Sequence, residues 1–273
     1  MMLTTKEACE AYRNVSIKKA TMPVGRLLGK SFLAGMMIAL GATTSSVAAH
    51  AITNVGVARL VAGCVFPVGL MMVLLLNAEL FTGDCLMAMA VTDKKISIGQ
   101  FIRTLVLVFI GNFIGGLFVS GLVYACGQLD YSNGLLGAYT IKVALGKATL
   151  TPIKGISSGI LCNILVAGAV LMALCAKDVA GKLLTSFFVI MPFVTGGFEH
   201  CVANMYYISA GIFAKMNPVY VQVAMDNYGI DQAKLDSLNF GTMIVNNLIP
   251  VTIGNIIGGS VVVGLAVYLL NKD

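Results

Sequence analysis

Charged residues are scarce in this chain of 273 residues, of which only 11% are Asp, Glu, Lys or Arg while 58% are hydrophobic. Soluble domains carry about 25% charged residues, and the mean hydropathy here is +0.90. This composition excludes water as the solvent for most of the chain. Apolar stretches of about 20 residues recur, as a hydrocarbon core about 30 Å thick requires. The sequence therefore predicts an all-α integral membrane protein.

The motifs of several enzyme and cofactor classes are also missing. The seven cysteines form no C-x-x-C pair, and no Cys/His group has the spacing of metal ligands. There is no G-x-x-x-x-G-K-[ST] motif and no haem or flavin motif, which argues against ATP-driven pumping and against an enzyme. The basic residues stand at segment ends, not in a patch with aromatics, so no nucleic-acid partner is expected. Neither a metal nor a cofactor is predicted.

Six apolar segments are long enough to cross a membrane. The second and fifth are too long to be simple spans, and each contains a break. Gly, Pro, Asn and Glu at membrane depth must face protein or a water-filled cavity, because unpaired backbone groups are costly in lipid. An enclosed path is therefore expected. The segments are Phe32 to His50, Val57 to Ala90, Phe101 to Cys126, Ile156 to Cys175, Leu183 to Phe213 and Met243 to Leu270.

Lysine and arginine are unevenly distributed between the two sides of this predicted bundle. When alternate loops are assigned to opposite sides, twelve fall on the side of the N-terminus and six on the other. The positive-inside rule then places both termini in the cytoplasm. The longer connections, 127–152 and 214–241, contain turn signals and are expected to hold short interfacial helices.

One transmembrane domain is expected to use nearly the whole chain, 1–273. The segment 1–26 is polar and amphipathic, without an apolar run or a small-residue cleavage site. This pattern predicts a cytoplasmic helix along the membrane surface and not a signal peptide. Residues 27–127 are expected to form a first repeat, 128–152 a connecting loop and 153–273 a second repeat.

An internal sequence repeat supports this division. The segment from Ile110 to Leu122, IGNFIGGLFVSGL, matches that from Ile253 to Leu265, IGNIIGGSVVVGL, at nine of thirteen positions. Each half contains an odd number of spans, so the two copies cross the membrane in opposite directions. The fold is therefore predicted as six transmembrane helices in two inverted three-helix repeats, with broken second and fifth helices.

Two kinds of residue recur in both copies of the repeat. Their glycines have small-xxx-small spacing, which indicates close helix packing. Asn112 and Asn255 are equivalent amides at lipid depth and need hydrogen-bond partners. A neighbouring helix or the enclosed path could supply those partners, and the sequence does not choose between them.

Each break places an acid beside an unwound stretch, Glu79 in the first and Glu199 with His200 in the second. Ionisable residues are rare at membrane depth and mark a functional site by default. For both acids the sequence favours a structural role, in which the carboxylates accept hydrogen bonds from backbone N–H groups that the break leaves free. His200 is different, because imidazole exchanges a proton near neutral pH, and a direct role is expected for it.

The helix after the second break is predicted to line the path with one face. Asn204 lies four residues after His200 and therefore on the same face, and both, with Glu199, are candidate path residues. His50, at the end of the first span, is expected to be interfacial. Half-helices whose N-termini point toward the midplane offer free N–H groups and a positive dipole end, which favours an anion over a cation.

Three longer motifs carry a family resemblance: GFEHCVANM from Gly197, ELFTG from Glu79 and NLIPVTIGNIIGG from Asn247. Through them essentially the whole chain resembles the formate/nitrite transporter family. The resemblance implies an aquaporin-like protomer, a homopentamer, and in each protomer a path for a small monovalent anion such as formate, nitrite or hydrosulfide. Membrane lipid is the other expected partner.

The same resemblance implies roles for particular residues. His200 would be the central histidine, and Thr82 a threonine on a mobile loop near it. Asn163 and Asn255 would be polar lining residues, and Lys147 an electropositive vestibule residue. Two hydrophobic constrictions would be formed by Phe66, Leu70, Leu80, Val166 and Phe193.

Within the family, the sequence from Asn77 to Asp84 is most similar to that of bacterial hydrosulfide channels. Hydrosulfide is therefore the expected substrate, formate or nitrite the alternative, and a bacterial inner membrane the expected location. The sequence does not separate a passive or proton-linked channel from an obligate proton-coupled symporter. A membrane-embedded enzyme is a remote alternative that no catalytic constellation supports.

Overall fold

The computed structural model describes residues 2–272, and every regular element in that range is helical. Helices α2, α3, α5, α7, α8 and α12 below are long and apolar enough to cross a membrane, which confirms the predicted fold class. In chain order the helices are α1 (Thr5–Ala20), α2 (Val24–Ala49), α3 (Val55–Leu75), α4 (Phe81–Thr92), α5 (Ile98–Ala125), α6 (Leu135–Ala148), α7 (Pro152–Cys175), α8 (Val179–Gly196), α9 (Cys201–Ala214), α10 (Pro218–Tyr228), α11 (Gln232–Ser237) and α12 (Phe240–Leu270).

Several spanning helices begin earlier than their apolar runs, because capping residues and not hydrophobicity set the first turn. The hydroxyl of Ser97 accepts from the N–H of Gln100 at 3.1 Å, and the Gln100 side chain accepts from the N–H of Ser97 at 2.8 Å. This reciprocal pair opens α5 ahead of the apolar run. Pro152 opens α7, at a position where the missing N–H of proline has no helical partner to lose.

The predicted breaks separate α3 from α4 and α8 from α9. The first break contains Asn77 with φ of 52°, and α8 ends at Gly197 with φ of 71°. Left-handed backbone of this kind favours glycine, because a β-carbon clashes with the following carbonyl. Space gives a second reason at Gly197, where a β-carbon would overlap the guanidinium of Arg59.

Asn112 of α5 holds the first break. Its Nδ2 donates to the carbonyls of Ser31 at 2.7 Å and Glu79 at 3.0 Å, and its Oδ1 accepts from the N–H of Phe81 at 3.0 Å. The side chain is fully buried. It thereby satisfies backbone groups on both sides of the unwound stretch, which no helix pairs internally.

Asn255 of α12 makes the equivalent three bonds at the second break. Its Nδ2 donates to the carbonyls of Gly159 at 2.8 Å and Glu199 at 3.0 Å, and its Oδ1 accepts from the N–H of Cys201 at 2.9 Å. We call Asn112 and Asn255 the clamp amides. The sequence left open whether a neighbouring helix or the enclosed path supplies their hydrogen-bond partners. In the structure the partners are backbone groups of neighbouring segments.

The repeated glycines pack helices closely, as their spacing predicted. A β-carbon at Gly115 of α5 would overlap the carbonyl of Phe32 on α2, and one at Gly258 of α12 would overlap the carbonyl of Ile160 on α7. Each pair lies at the same place in its own repeat. The close approach brings the clamp amides within reach of α2 and α7.

Shorter helices occupy the ends and the long connections. Helix α6 lies in the connection 128–152, and α10 and α11 lie between α9 and α12. Helix α1 starts with a capping box between Thr4 and Glu7 and packs against α4, α7 and α12. The boundaries at 27, 128 and 153 between the repeats stay a prediction.

Candidate functional site

The two breaks meet where Thr82, in the first turn of α4, faces His200, just before α9. The hydroxyl Oγ1 of Thr82 lies 2.9 Å from the ring nitrogen Nε2 of His200. Both side chains are buried, although 118 residues separate them along the chain. The structure thus brings together the two residues that the family resemblance placed near each other.

The backbone of α9 fixes which ring nitrogen of His200 carries the proton. His200 is the N-cap of α9, and its Nδ1 accepts the N–H of Ala203 at 3.1 Å. The neutral ring must then carry its proton on Nε2 and donate it to Thr82. Because Oγ1 of Thr82 accepts this bond, the hydroxyl proton of Thr82 is left for another acceptor.

Aromatic rings form an apolar wall beside this pair. The rings of Phe66 and Phe193 meet edge to face with centroids 5.5 Å apart, and the Phe193 ring lies 5.7 Å from the His200 ring. An unpaired ion next to such a surface carries a large desolvation cost. The remaining predicted constriction residues are buried in the same hydrophobic core: Leu70, Leu80 and Val166.

A cavity of about 830 Å³ reaches His200 from one side of the molecule. Phe66, Phe193, Lys147 and Asn204 are among the residues that line it. Cavities of this size are large enough for small ligands. We call this space the vestibule.

Two further cationic side chains, which the sequence analysis did not single out, line the vestibule: Arg59 and Lys142. The ammonium of Lys142 lies 4.4 Å from the ring centroid of Tyr228. The sequence feature that could have identified them is that few basic residues lie on that side of the bundle and both are among them. His50 also lines the vestibule, where it bonds to the Val47 carbonyl at 2.7 Å. The vestibule is therefore richer in positive charge than Lys147 alone would make it.

Lys147 is one member of a closed ring of four polar residues. Its ammonium donates to Glu199 at 3.0 and 3.1 Å. Nδ2 of Asn204 donates to Glu199 at 2.6 Å and to Oδ1 of Asn247 at 2.8 Å. Nδ2 of Asn247 donates to the carbonyl of Lys147 at 3.0 Å, which closes the ring. Asn247 was not predicted as a site residue, although it begins one of the three family motifs.

The backbone N–H partners predicted for the two acids are wrong. The carboxylate of Glu199 is held by Lys147 and by amide side chains, and that of Glu79 by Lys19 at 2.6 Å and Lys30 at 3.6 Å. The reason is that N–H groups at the breaks have other acceptors: the clamp amides accept those of Phe81 and Cys201, and the hydroxyl of Ser158 accepts that of Glu199. The acids are therefore available to pair with lysines.

The remaining predicted lining residues bind backbone groups of neighbouring segments. Nδ2 of Asn163 donates to the carbonyls of Thr82 at 3.2 Å and Asn255 at 2.6 Å, and Asn255 holds the second break as described. Both are fully buried. Their direct contact with a substrate stays a prediction. Within residues 2–272, no group of His, Cys, Asp and Glu is arranged to hold a metal ion.

Comparison with known proteins extends the resemblance over nearly the full length. Residues 6–269 match the family model for formate/nitrite transporters. The chain is 38% identical over 277 residues to the formate channel FocA of Haemophilus influenzae, covering 99% of this chain and 95% of that protein. It is 36% identical to a probable formate transporter of Methanothermobacter thermautotrophicus, covering 95% of this chain and 92% of that protein.

Solved structures give the same result. A pentameric formate channel with formate bound superposes with a TM-score of 0.81 and 30% identity, over 92% of this chain and 98% of the other. An FNT family ion channel superposes with a TM-score of 0.78 and 26% identity, over 97% and 98%. With six membrane-spanning helices and both breaks inside the matched residues, this multi-pass membrane protein belongs to the formate/nitrite transporter family.

Proposed function

We propose that the protein is a channel for a small monovalent anion, with formate as the first candidate, and that it acts as a homopentamer with one path in each protomer. The names of its relatives, formate channels in several cases, support this choice. The observation that carries it is the bond between His200 and Thr82 at the end of the cation-lined vestibule. The hydrosulfide expectation finds no support among these relatives and stays a prediction. The excess of basic residues on the N-terminal side supports cytoplasmic termini.

The geometry suggests how an anion passes. Cations of the vestibule raise its local concentration, and the hydroxyl proton of Thr82 is free to bond to it. A bare anion should stall at the ring pair of Phe66 and Phe193, whereas a neutral acid crosses with a far smaller desolvation cost. Anion passage is therefore expected to depend on proton uptake.

The source of that proton is restricted by the tautomer of His200. The neutral ring has one proton, already bonded to Thr82, and releasing it would leave an unstable imidazolate. The neutralising proton therefore comes from solution, or from an imidazolium that forms when Nδ1 of His200 releases the N–H of Ala203. In either case the hydrogen bond to Thr82 positions the substrate and does not by itself protonate it.

The proposal is tested by flux into proteoliposomes that contain the purified protein. Formate, nitrite, hydrosulfide and chloride are compared at matched concentration, with glycerol and water as neutral controls. Fastest flux of formate supports the proposal, and fastest flux of hydrosulfide supports the substrate expected from the sequence. Absence of flux for all four anions contradicts a channel for small anions. Anion current without a proton gradient would contradict obligate proton coupling.

Replacing Lys147 by Glu is expected to lower formate flux at least about tenfold at low formate concentration. The new carboxylate would face Glu199, and an uncompensated buried charge costs about 3–5 kcal/mol. The matched control is Lys142→Glu, in the same vestibule but without a carboxylate partner in the described contacts, which should reduce flux only slightly. Flux at increasing formate concentration measures the loss of anion attraction in each variant. Thermal stability in detergent measures the loss of folded protein. Equal losses in both variants would refute a special role for Lys147.

A further inference from the structure

A second ion cluster lies on the other side of the central pair from the vestibule. The ammonium of Lys19 on α1 contacts the carboxylates of both Glu79 and Asp84, and Lys30 lies 3.6 Å from Glu79. Lys30 is near the start of α2, whereas the vestibule is lined by the end of that helix. We call Lys19, Lys30, Glu79 and Asp84 the inner cluster.

Helix α1 ties this cluster to the first turn of α4, which carries Thr82. The hydroxyl of Tyr12 donates to the carbonyl of Gly83 at 2.7 Å, next to Thr82 in the chain. Asp84 is completely buried, and its Oδ2 has no hydrogen-bond partner among residues 2–272. A buried carboxylate oxygen without a partner is costly, so binding a proton there would lower that cost.

The inverted repeat relates the inner cluster to the ring around Lys147. The carbonyls of Ser31 and Gly159 accept from the two clamp amides and are therefore equivalent positions. Ser31 and Gly159 are 128 positions apart in the chain, and Lys19 and Lys147 are separated by the same 128 positions. Helix α1 thus corresponds to α6, and each of these helices contributes a lysine that pairs with the acid of a break.

One position breaks this correspondence. Glu79 and Glu199 are equivalent, since the clamp amides donate to their carbonyls, and five residues beyond them stand Asp84 and Asn204. Asn204 donates an amide N–H to the carboxylate of Glu199 at 2.6 Å. Ionised Asp84 has no proton to donate, whereas protonated Asp84 has one. Only protonated Asp84 therefore has a proton to donate, as Asn204 does in the ring around Lys147.

The charges around Asp84 define what proton uptake does. The titratable groups around it are Tyr12 and Lys19 from α1, Glu79 from the break and Cys85 from α4. Lys30 from α2 completes the cluster through its contact with Glu79. Two ammonium groups and two carboxylates sum to zero. One bound proton leaves the inner cluster with a net charge of +1 and relieves the repulsion between the two carboxylates on one ammonium.

We propose that Asp84, with Glu79 and Lys19, is a proton-binding site that controls anion passage at the inner mouth of the path. With the proton bound, the cluster is net positive and admits an anion. With the proton released, it is neutral and admits the anion poorly. This inference rests on the proposed function as an anion channel and assigns its regulation to a residue that breaks the symmetry of the repeat.

The test varies the pH on the N-terminal side of oriented proteoliposomes, with the orientation read from the accessibility of an N-terminal tag. Between about pH 8 and about pH 5, wild-type formate flux should rise about tenfold as the site fills. Asp84→Asn carries the donor permanently, so its flux at about pH 8 should exceed that of the wild type and should rise less steeply when that side is acidified. The reciprocal Asn204→Asp should create pH dependence on the opposite side. Asp226→Asn, at an exposed carboxylate of α10, should match the wild type.

Each outcome decides one claim. An unchanged pH profile in Asp84→Asn overturns the inference while leaving the anion channel intact. Absence of anion flux in the wild type overturns the proposed function, and infrared spectra then judge the proton site separately. A protonated carboxyl band should appear on acidification of the wild type and shift when aspartate is labelled with carbon-13. Its absence across the pH range overturns the inference even if Asp84→Asn fails to fold.

Discussion

Replacing Asn255 by Ala is expected to destabilise the folded protein by about 3 kcal/mol or more. The change removes the partners of three buried backbone groups, on Gly159, Glu199 and Cys201. Each buried group left without a partner costs about 1–3 kcal/mol, and no water is available at that depth to replace the amide. The measurement is the thermal midpoint of the purified protein in detergent. Asn112→Ala should show a loss of similar size, because Asn112 makes the equivalent three bonds.

The matched control for this prediction is Asn246→Ala on the same helix. Asn246 makes a single bond, to the carbonyl of Ala148 at 3.2 Å, and is only partly buried. Its loss should cost about 0.5–1.5 kcal/mol. If Asn255→Ala proves as stable as Asn246→Ala, the breaks are held by something other than the clamp amides. Purification in the presence of formate distinguishes a loss of fold from a loss of ligand stabilisation.

Replacing His200 by Asn is expected to lower formate flux about tenfold while leaving the protein folded. Asn is as good an N-cap as any residue, so the start of α9 survives the change. The bond to Thr82 is lost, which is worth about 1 kcal/mol for a neutral pair. The titrating ring is lost as well, so the dependence of flux on pH should become less steep. Initial flux rates from mildly acidic to mildly alkaline pH measure both effects.

A double-mutant cycle shows whether His200 acts through Thr82. Thr82→Val keeps the shape of the side chain and removes the hydroxyl, and at a fixed pH it should lower flux about as much as His200→Asn does, whereas the pH dependence that comes from the ring should remain. The double variant should be no worse than either single variant, because both remove the same bond. Thr82→Ser retains the hydroxyl and is the control that should keep most of the flux. Additive losses in the double variant would show that the two residues act independently.

Much of the architecture could be predicted because its signals are local. Six apolar runs and two breaks follow from hydropathy and from polar residues at membrane depth, which lipid tolerates only where protein or a cavity receives them. The inverted repeat followed from thirteen aligned positions and an odd number of spans. Thr82 and His200 were placed together by family motifs, and no feature of the spacing alone would have paired residues 118 positions apart.

The pairing of polar groups could not be predicted, because it depends on which helices dock. Glu199 meets Lys147 from 52 residues away, and Asn247 meets the backbone of Lys147 from 100 residues away. The local pattern favoured backbone partners for the acids, since unwound chain always leaves free N–H groups. Each clamp amide takes one such group at its break, and close glycine contacts place it there by bringing α5 and α12 against α2 and α7.

The sequence by itself determined the membrane-spanning helices, the opposed orientation of the two halves and the family. Those properties depend on hydrophobicity and on identity along short stretches of chain. Only the tertiary structure decided that Lys19 corresponds to Lys147 and Asp84 to Asn204. The thirteen matched positions lie in α5 and α12, and the other helices are related here by the contacts that they make. Their equivalence exists in the contacts that the folded halves make, which no local pattern encodes.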